Sequence, residues 1–139
     1  MASKQQMTGM LGVYLTAAEL VRRGFIVSPT SRSALGADLL VTDQRCHKAW
    51  SVQVKTNASS ANFWLTGFRA KEIKSKTHMY VFVSLPKNKP PRFFVVPSKI
   101  VAKEIHGSKW HSWYRKEAYE NKWKLFGNPE GPAPVKRKS

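Results

Sequence analysis

Two segments, ADLLVTD at 37–43 and HMYVFVSL at 78–85, constrain the fold of this chain more than any other feature. Each shows little polar alternation, which is the mark of a strand buried on both faces. A sheet covered on two sides follows from that. Between them, WSVQVKT at 50–56 does alternate: Ser51, Gln53 and Lys55 point one way, Val52 and Val54 the other. Phe25 to Ser28 is a short strand ended by Pro29, and RFFVV at 92–96 is a further one. Ahead of all these, Thr8 to Arg23 reads as a helix in which Leu11, Leu15, Ala18 and Val21 build one apolar stripe. Thr8 is its expected N-cap, with Arg22 and Arg23 in the last turn and Gly24 at C′. A short helix is expected around Arg69 to Lys76, and another from Ser98 through Ile105, stopped by Gly107. The order helix, three strands, helix, strand, strand, helix predicts a mixed α/β sandwich around a central sheet.

At 139 residues the chain suits one domain, read as 1–126, followed by a basic tail, 127–139, low in apolar residues and expected to be disordered. Lys and Arg total 24 against 8 acidic residues, a net charge of +16. A field of that strength attracts polyanions, nucleic acid first among them. An anionic membrane surface is the second reading, but no strongly amphipathic basic helix supports it. No apolar run approaches the roughly 18 residues of a membrane span, and the N-terminus lacks the pattern of a signal peptide. The lone cysteine, Cys46, fits a reducing compartment, so a cytoplasmic location is expected.

Asp38 opens a buried strand, where an unpaired carboxylate is costly. A structural ion pair or a metal ion would each relieve it. Lys55 lies 17 residues downstream on the expected neighbouring strand, and Gln53 offers an amide oxygen to the same end of the sheet. Asp38 and Gln53 suit Mg²⁺, a hard cation that takes oxygen ligands, with Mn²⁺ as the alternative. Such an ion polarises a phosphate and acidifies water, and a lysine beside it orients the attack or stabilises developing charge. An acid, an oxygen donor and a lysine in this arrangement form a workable site for phosphodiester hydrolysis.

The pattern G-A-D-L-L-V followed by V-Q-V-K-T resembles the PD-(D/E)XK nuclease superfamily, in particular its small Holliday-junction-resolvase-like and homing-endonuclease-like members. The resemblance covers roughly residues 8–85. It implies a restriction-endonuclease-like core, a central mixed β-sheet flanked by helices. It also implies Mg²⁺-dependent cleavage of DNA, with a homodimer as a common state. Asp38 matches the metal-binding aspartate and Lys55 the catalytic lysine. Gln53 falls where the second acid stands, and the backbone carbonyl of Val54 completes the implied ligand set. Resolvase-like relatives carry a glutamate on the first helix at a position that here is Val13. Glu19 points elsewhere and reads as a surface or salt-bridge residue.

Val13 and Gln53 keep a second reading open: a module of the same fold that binds nucleic acid without cutting it. A basic RNA- or ribosome-associated protein is a more distant third. Arg32, Arg69, Lys71, Lys74 and Lys76 flank the Asp38 region and are the candidates for DNA backbone contacts. Trp110, Trp113, Tyr114 and Trp123, interleaved with Lys109, Arg115, Lys116, Lys122 and Lys124, read mainly as core anchors, with a nucleic-acid groove as the alternative.

Overall fold

The computed structural model describes residues 1–31, 36–107 and 111–134. Arg32, Lys109, Trp110 and the stretch 135–139 fall outside them. Helix α1 spans Lys4–Arg22. It starts earlier than a Thr8 cap would allow, because Ser3 and Gln6 form a capping box. The Gln6 N–H donates to Ser3 Oγ at 3.1 Å and the Ser3 N–H to Gln6 Oε1 at 2.9 Å. Gly24, at φ +102°, turns the chain out of the helix.

The strands are β1 (Ile26–Pro29), β2 (Leu39–Thr42), β3 (Ala49–Asn57), β4 (Phe63–Leu65), β5 (His78–Ser84), β6 (Arg92–Pro97) and β7 (Ser112–Tyr114). Five of them form one sheet in the order β1-β2-β3-β5-β6, and β4 with β7 forms a separate ribbon. All neighbours in the large sheet run antiparallel except β3 and β5, which run parallel. The β-branched and aromatic content of β5 and β6 suits their buried places in it. β2 differs from the fully buried strand expected from its sequence: Leu39 and Val41 are buried, whereas Leu40 is exposed. It is covered on one face only.

One face of the sheet carries Val41, Val52, Val54, Val81 and Val95, packed under α1 and against Trp123 and Phe126. Leu20 of α1 is fully buried there, worth about 2 kcal/mol of transfer free energy. The stripe Leu11, Ala18 and Val21 faces solvent instead, contrary to a core role. The helix sits on Gly12, Thr16 and Leu20, with Val13, Leu15 and Ala17 beside them. Gly12 explains the rotation. A Cβ there would lie 1.8 Å from Thr56 Oγ1, so only glycine lets the helix backbone approach β3 this closely.

The opposite face, with Tyr80, Phe82, Phe94 and Val96, is covered by Trp64, Trp113 and the helix α2 (Ser98–Glu104). Trp113 stacks on Phe82 at 4.5 Å. The helix expected around Arg69 to Lys76 is a 3₁₀ turn, Phe68–Lys71. Segment 127–134 is not a free tail. Pro129 O accepts the Gln44 N–H at 2.7 Å, and Glu130 O accepts Arg45 Nε at 3.2 Å. Asp43 organises that turn. Burial pushes its carboxyl pKa up, but the N–H groups of His47, Lys48 and Arg45 outweigh it and hold the pKa below the usual range. Farther along, Arg92 of β6 binds both Glu117 and Glu120 at 2.7 Å, tying the C-terminal segment to the sheet edge. No helix among the described residues is long and apolar enough to cross a membrane.

Candidate active site

Asp38 directly precedes β2 and is half-buried. Its N–H donates to Val52 O at 2.7 Å, and its Oδ2 accepts the Val54 N–H at 2.7 Å. The aspartate therefore brackets Gln53, holding the strand residues on either side of it. The Thr30 N–H donates to Asp38 O at 2.9 Å, and Thr30 Oγ1 donates to Ala37 O at 2.6 Å, so β1 braces the same end. Asp38 is held from both flanks.

Alternation along β3 sends Trp50, Val52 and Val54 into the α1 face. Ser51, Gln53 and Lys55 take the other side, beside His78, Tyr80 and Phe82 in the parallel register. Gln53 and Lys55 are half-buried. Burial pulls the Lys55 ammonium pKa below its usual value, and the Asp38 carboxylate opposes that pull. Among the described residues no ion pair joins Asp38 to Lys55, and the carboxylate acts on the lysine through space alone.

Three cavities meet these residues. Asp38 and Val54 line one of about 280 Å³ with Gln6, Met10, Val13 and Tyr14 of α1. Gln53 and Lys55 line a second, of about 310 Å³, with Gly36, Phe68, Arg69 and Tyr80. Lys55 also borders a third, of about 580 Å³, with Lys4, Phe63 and Leu65. Val13, at the position where the resemblance asks for a glutamate, does face the Asp38 cavity and offers it no oxygen. Glu19 is engaged with Arg22 at 2.8 Å and with Arg23. The Arg22 hydrogen bond holds its carboxyl below the usual range.

Of the candidate phosphate contacts, Arg69 shares a cavity with Lys55, and Lys71, Lys74 and Lys76 are exposed along the same connection. Arg32 lies outside the described residues. Trp113 and Trp123 are buried core residues, while Tyr114 is exposed. Arg115 pairs with Glu117 and Lys116 with Glu104, so these two cations are already matched.

His78 was not singled out by its sequence context. It is 4% exposed, and its Nδ1 shares a 2.6 Å hydrogen bond with Ser51 Oγ. Burial pulls its pKa below the ordinary histidine value, with Asp38 opposing. The neutral ring is therefore favoured in the fold. As pH falls through the unfolded-state value near ~6.5, the unfolded chain gains a proton that the folded chain resists. Stability should decline on acidification from there, by at most about 1.4 kcal/mol per pH unit for this group. Denaturant melts of wild type and His78→Gln between neutral and mildly acidic pH check this, since the variant should lose that component of the slope.

No protein-family model matches the sequence, and no curated protein matches it. Solved structures do. I-Ssp6803I, a bacterial homing endonuclease, superposes with a TM-score of 0.64 at 13% identity, over 88% of this chain and 93% of the other. Hjc, a Holliday junction resolvase from the archaeal hyperthermophile Archaeoglobus fulgidus, gives 0.51 at 12% identity, over 80% of this chain and 86% of the other. This chain shares the α/β fold of that homing endonuclease and that resolvase, as the sequence resemblance implies.

Proposed function

We propose that the chain is a DNA endonuclease that hydrolyses phosphodiester bonds with Mg²⁺ at Asp38, Gln53 and Lys55. The supporting observation is the placement of Asp38. Its carboxylate is fixed against the Val54 backbone, brackets Gln53 and acts electrostatically on a half-buried lysine. The donors are a carboxylate, an amide oxygen and the Val54 carbonyl. These are hard oxygens, and Mg²⁺ commonly takes one or two carboxylates and keeps several waters. Asp38 and Val54 line a cavity of about 280 Å³, and Gln53 and Lys55 line a separate one of about 310 Å³. The donor set fits Mg²⁺ or Mn²⁺. When bound, the ion would supply charge neutralisation at the phosphate and acidify water.

The protein's own groups carry the rest. Asp38 and the Val54 carbonyl would hold the ion, and Gln53 would add a neutral ligand. Lys55, its pKa lowered by burial, is better poised for proton exchange than a solvated lysine and can also stabilise charge on the phosphate. Arg69, Lys71, Lys74 and Lys76 hold the DNA backbone, and Arg32 is assigned the same role. Incubating the purified chain with supercoiled and branched DNA in Mg²⁺ or Mn²⁺ tests the reading. Metal-dependent nicking supports it, and binding without any cleavage favours the non-cutting module. Val13 in the Asp38 cavity is the specific observation behind that second reading.

A homodimer belongs to the proposal, and α1 offers a surface for it. Met7, Leu11, Tyr14, Ala18 and Val21 are exposed at alternating four- and three-residue spacing, the geometry of a two-helix seam. Between Lys4 and Arg22 the helix carries no Lys or Arg. In a chain of net charge +16 this is where two copies meet with least repulsion. Light scattering should give about twice the 15.8 kDa chain mass, and Leu11→Glu should return it to the monomer. A wild-type monomer would remove the dimer without touching the nuclease. The single cysteine, Cys46, is exposed and free, in keeping with a cytoplasmic place of action.

A further inference from the structure

The connection from β3 to β5 leaves a set of rings in water. In β4, Trp64 turns inward, 3% exposed, and its Nε1 donates to Val83 O at 2.9 Å. Alternation then forces Phe63 and Leu65 outward, at 36% and 54% exposure. On β7, Trp113 turns inward and Tyr114 outward, and Phe63 and Tyr114 pair across the ribbon with centroids 5.7 Å apart. Past Leu65 the chain turns at Gly67, φ +76°, and presents Phe68 at 67% exposure. Single exposed apolar residues are ordinary. Several of them flanking one functional candidate mark a contact surface.

The candidate is Lys55. It shares one cavity with Phe63, Leu65 and Lys4, and another with Phe68 and Arg69. Each side of the lysine therefore has an aromatic ring and a cation. Neither Lys4 nor Arg69 belongs to an ion pair among the described residues. Rings offer stacking faces to bases, and cations take the phosphates between them. In a duplex the base faces are already stacked on one another. Only unpaired nucleotides have faces to give.

We propose that the surface flanking Lys55 is a track for unpaired DNA, a single strand or the open arm of a branched substrate. Bases would stack on Phe68 on one side and on the Phe63–Tyr114 pair on the other, with phosphates on Arg69 and Lys4. Its position beside Lys55 rests on the nuclease reading, but binding to the track needs no cleavage. The cations interleaved with the rings, and the charge of the whole chain, favour a polyanion over an apolar protein partner.

The test uses the full-length chain and a labelled oligothymidine, compared with a duplex of equal length at one fixed salt concentration. The single strand should bind more tightly than the duplex. Phe68→Ala, and Phe63→Ala with Tyr114→Ala, should each weaken single-strand binding roughly tenfold and leave duplex binding nearly unchanged. Phe68→Trp should retain wild-type affinity, and circular dichroism with melting would show that the alanine variants remain folded. A 2-aminopurine placed within the oligonucleotide should be quenched on binding to wild type and not to Phe68→Ala. Equal affinity for the two DNA forms, or equal losses for both in the variants, would overturn the track. So would self-association abolished by Phe68→Ala, which would assign the rings to a second copy. Absence of cleavage on any DNA would count against the nuclease alone.

Discussion

Asp38→Asn should lower metal-dependent cleavage by about 100- to 1,000-fold, the usual cost of removing one preorganised electrostatic group. Asparagine keeps an oxygen for the Val54 N–H, so the end of the sheet stays closed and the effect belongs to the lost charge. A second readout follows from the same change. Asp38 opposes the burial that lowers the pKa of both Lys55 and His78. Without it, both values fall further. By NMR, His78 should take up its proton at a more acidic pH in the variant than in wild type. The acid-side decline in stability then extends to lower pH, since the gap between unfolded and folded values has widened. Lys55→Met, which keeps side-chain length and removes the ammonium, should match the cleavage loss. Cleavage at the wild-type rate in Asp38→Asn would end the assignment of this site.

Gly12→Ala is the substitution expected to harm the fold most for its size. In an exposed helix the change would help by close to 1 kcal/mol. Here the new methyl would lie 1.8 Å from Thr56 Oγ1 and under 3 Å from Thr56 Cβ and Cγ2. Overpacking of this kind typically costs 1–3 kcal/mol, and the depth of this overlap sets the expected loss at about 3 kcal/mol. Thermal melting should register it as a fall of about 10 °C. Adding Thr56→Gly removes all three contacting atoms and should recover at least half of the loss. Such recovery would show that α1 is seated by this one approach. A double variant no more stable than Gly12→Ala would place the cause elsewhere in the helix.

The two cases differ in how far the chain announces them. β3, β5 and β6 were legible because branched and aromatic residues cluster in runs of strand length, and the alternation of β3 placed Gln53 and Lys55 on one face. The pairing of Asp38 with that strand followed from spacing. The seat of α1 did not, because Gly12 and Thr16 are small residues that no apolar stripe reveals, and Leu11, Ala18 and Val21 mimicked a core face. β4 and β7 are three residues each, too short to show a period, and each makes sense only beside the other. Segment 127–134 looked free because its contacts are backbone carbonyls meeting the turn at Asp43 to Arg45, and backbone carbonyls leave no compositional trace. His78 looked ordinary until β5 placed it next to Ser51.

The parallel pairing of β3 with β5 obliges the chain to leave the sheet after Asn57 and return only at His78. That excursion is dictated by topology, and the sheet asks little of it beyond Trp64 and Ala70, which fill the core beneath. Thr66 is also buried, bonded to His111 O, but the outward positions are free to be rewritten without disturbing the scaffold, among them every outward ring and basic side chain between Phe63 and Lys76. A fold that must spend some twenty residues crossing over itself has, in the same stroke, an interchangeable strip of surface lying beside its candidate lysine.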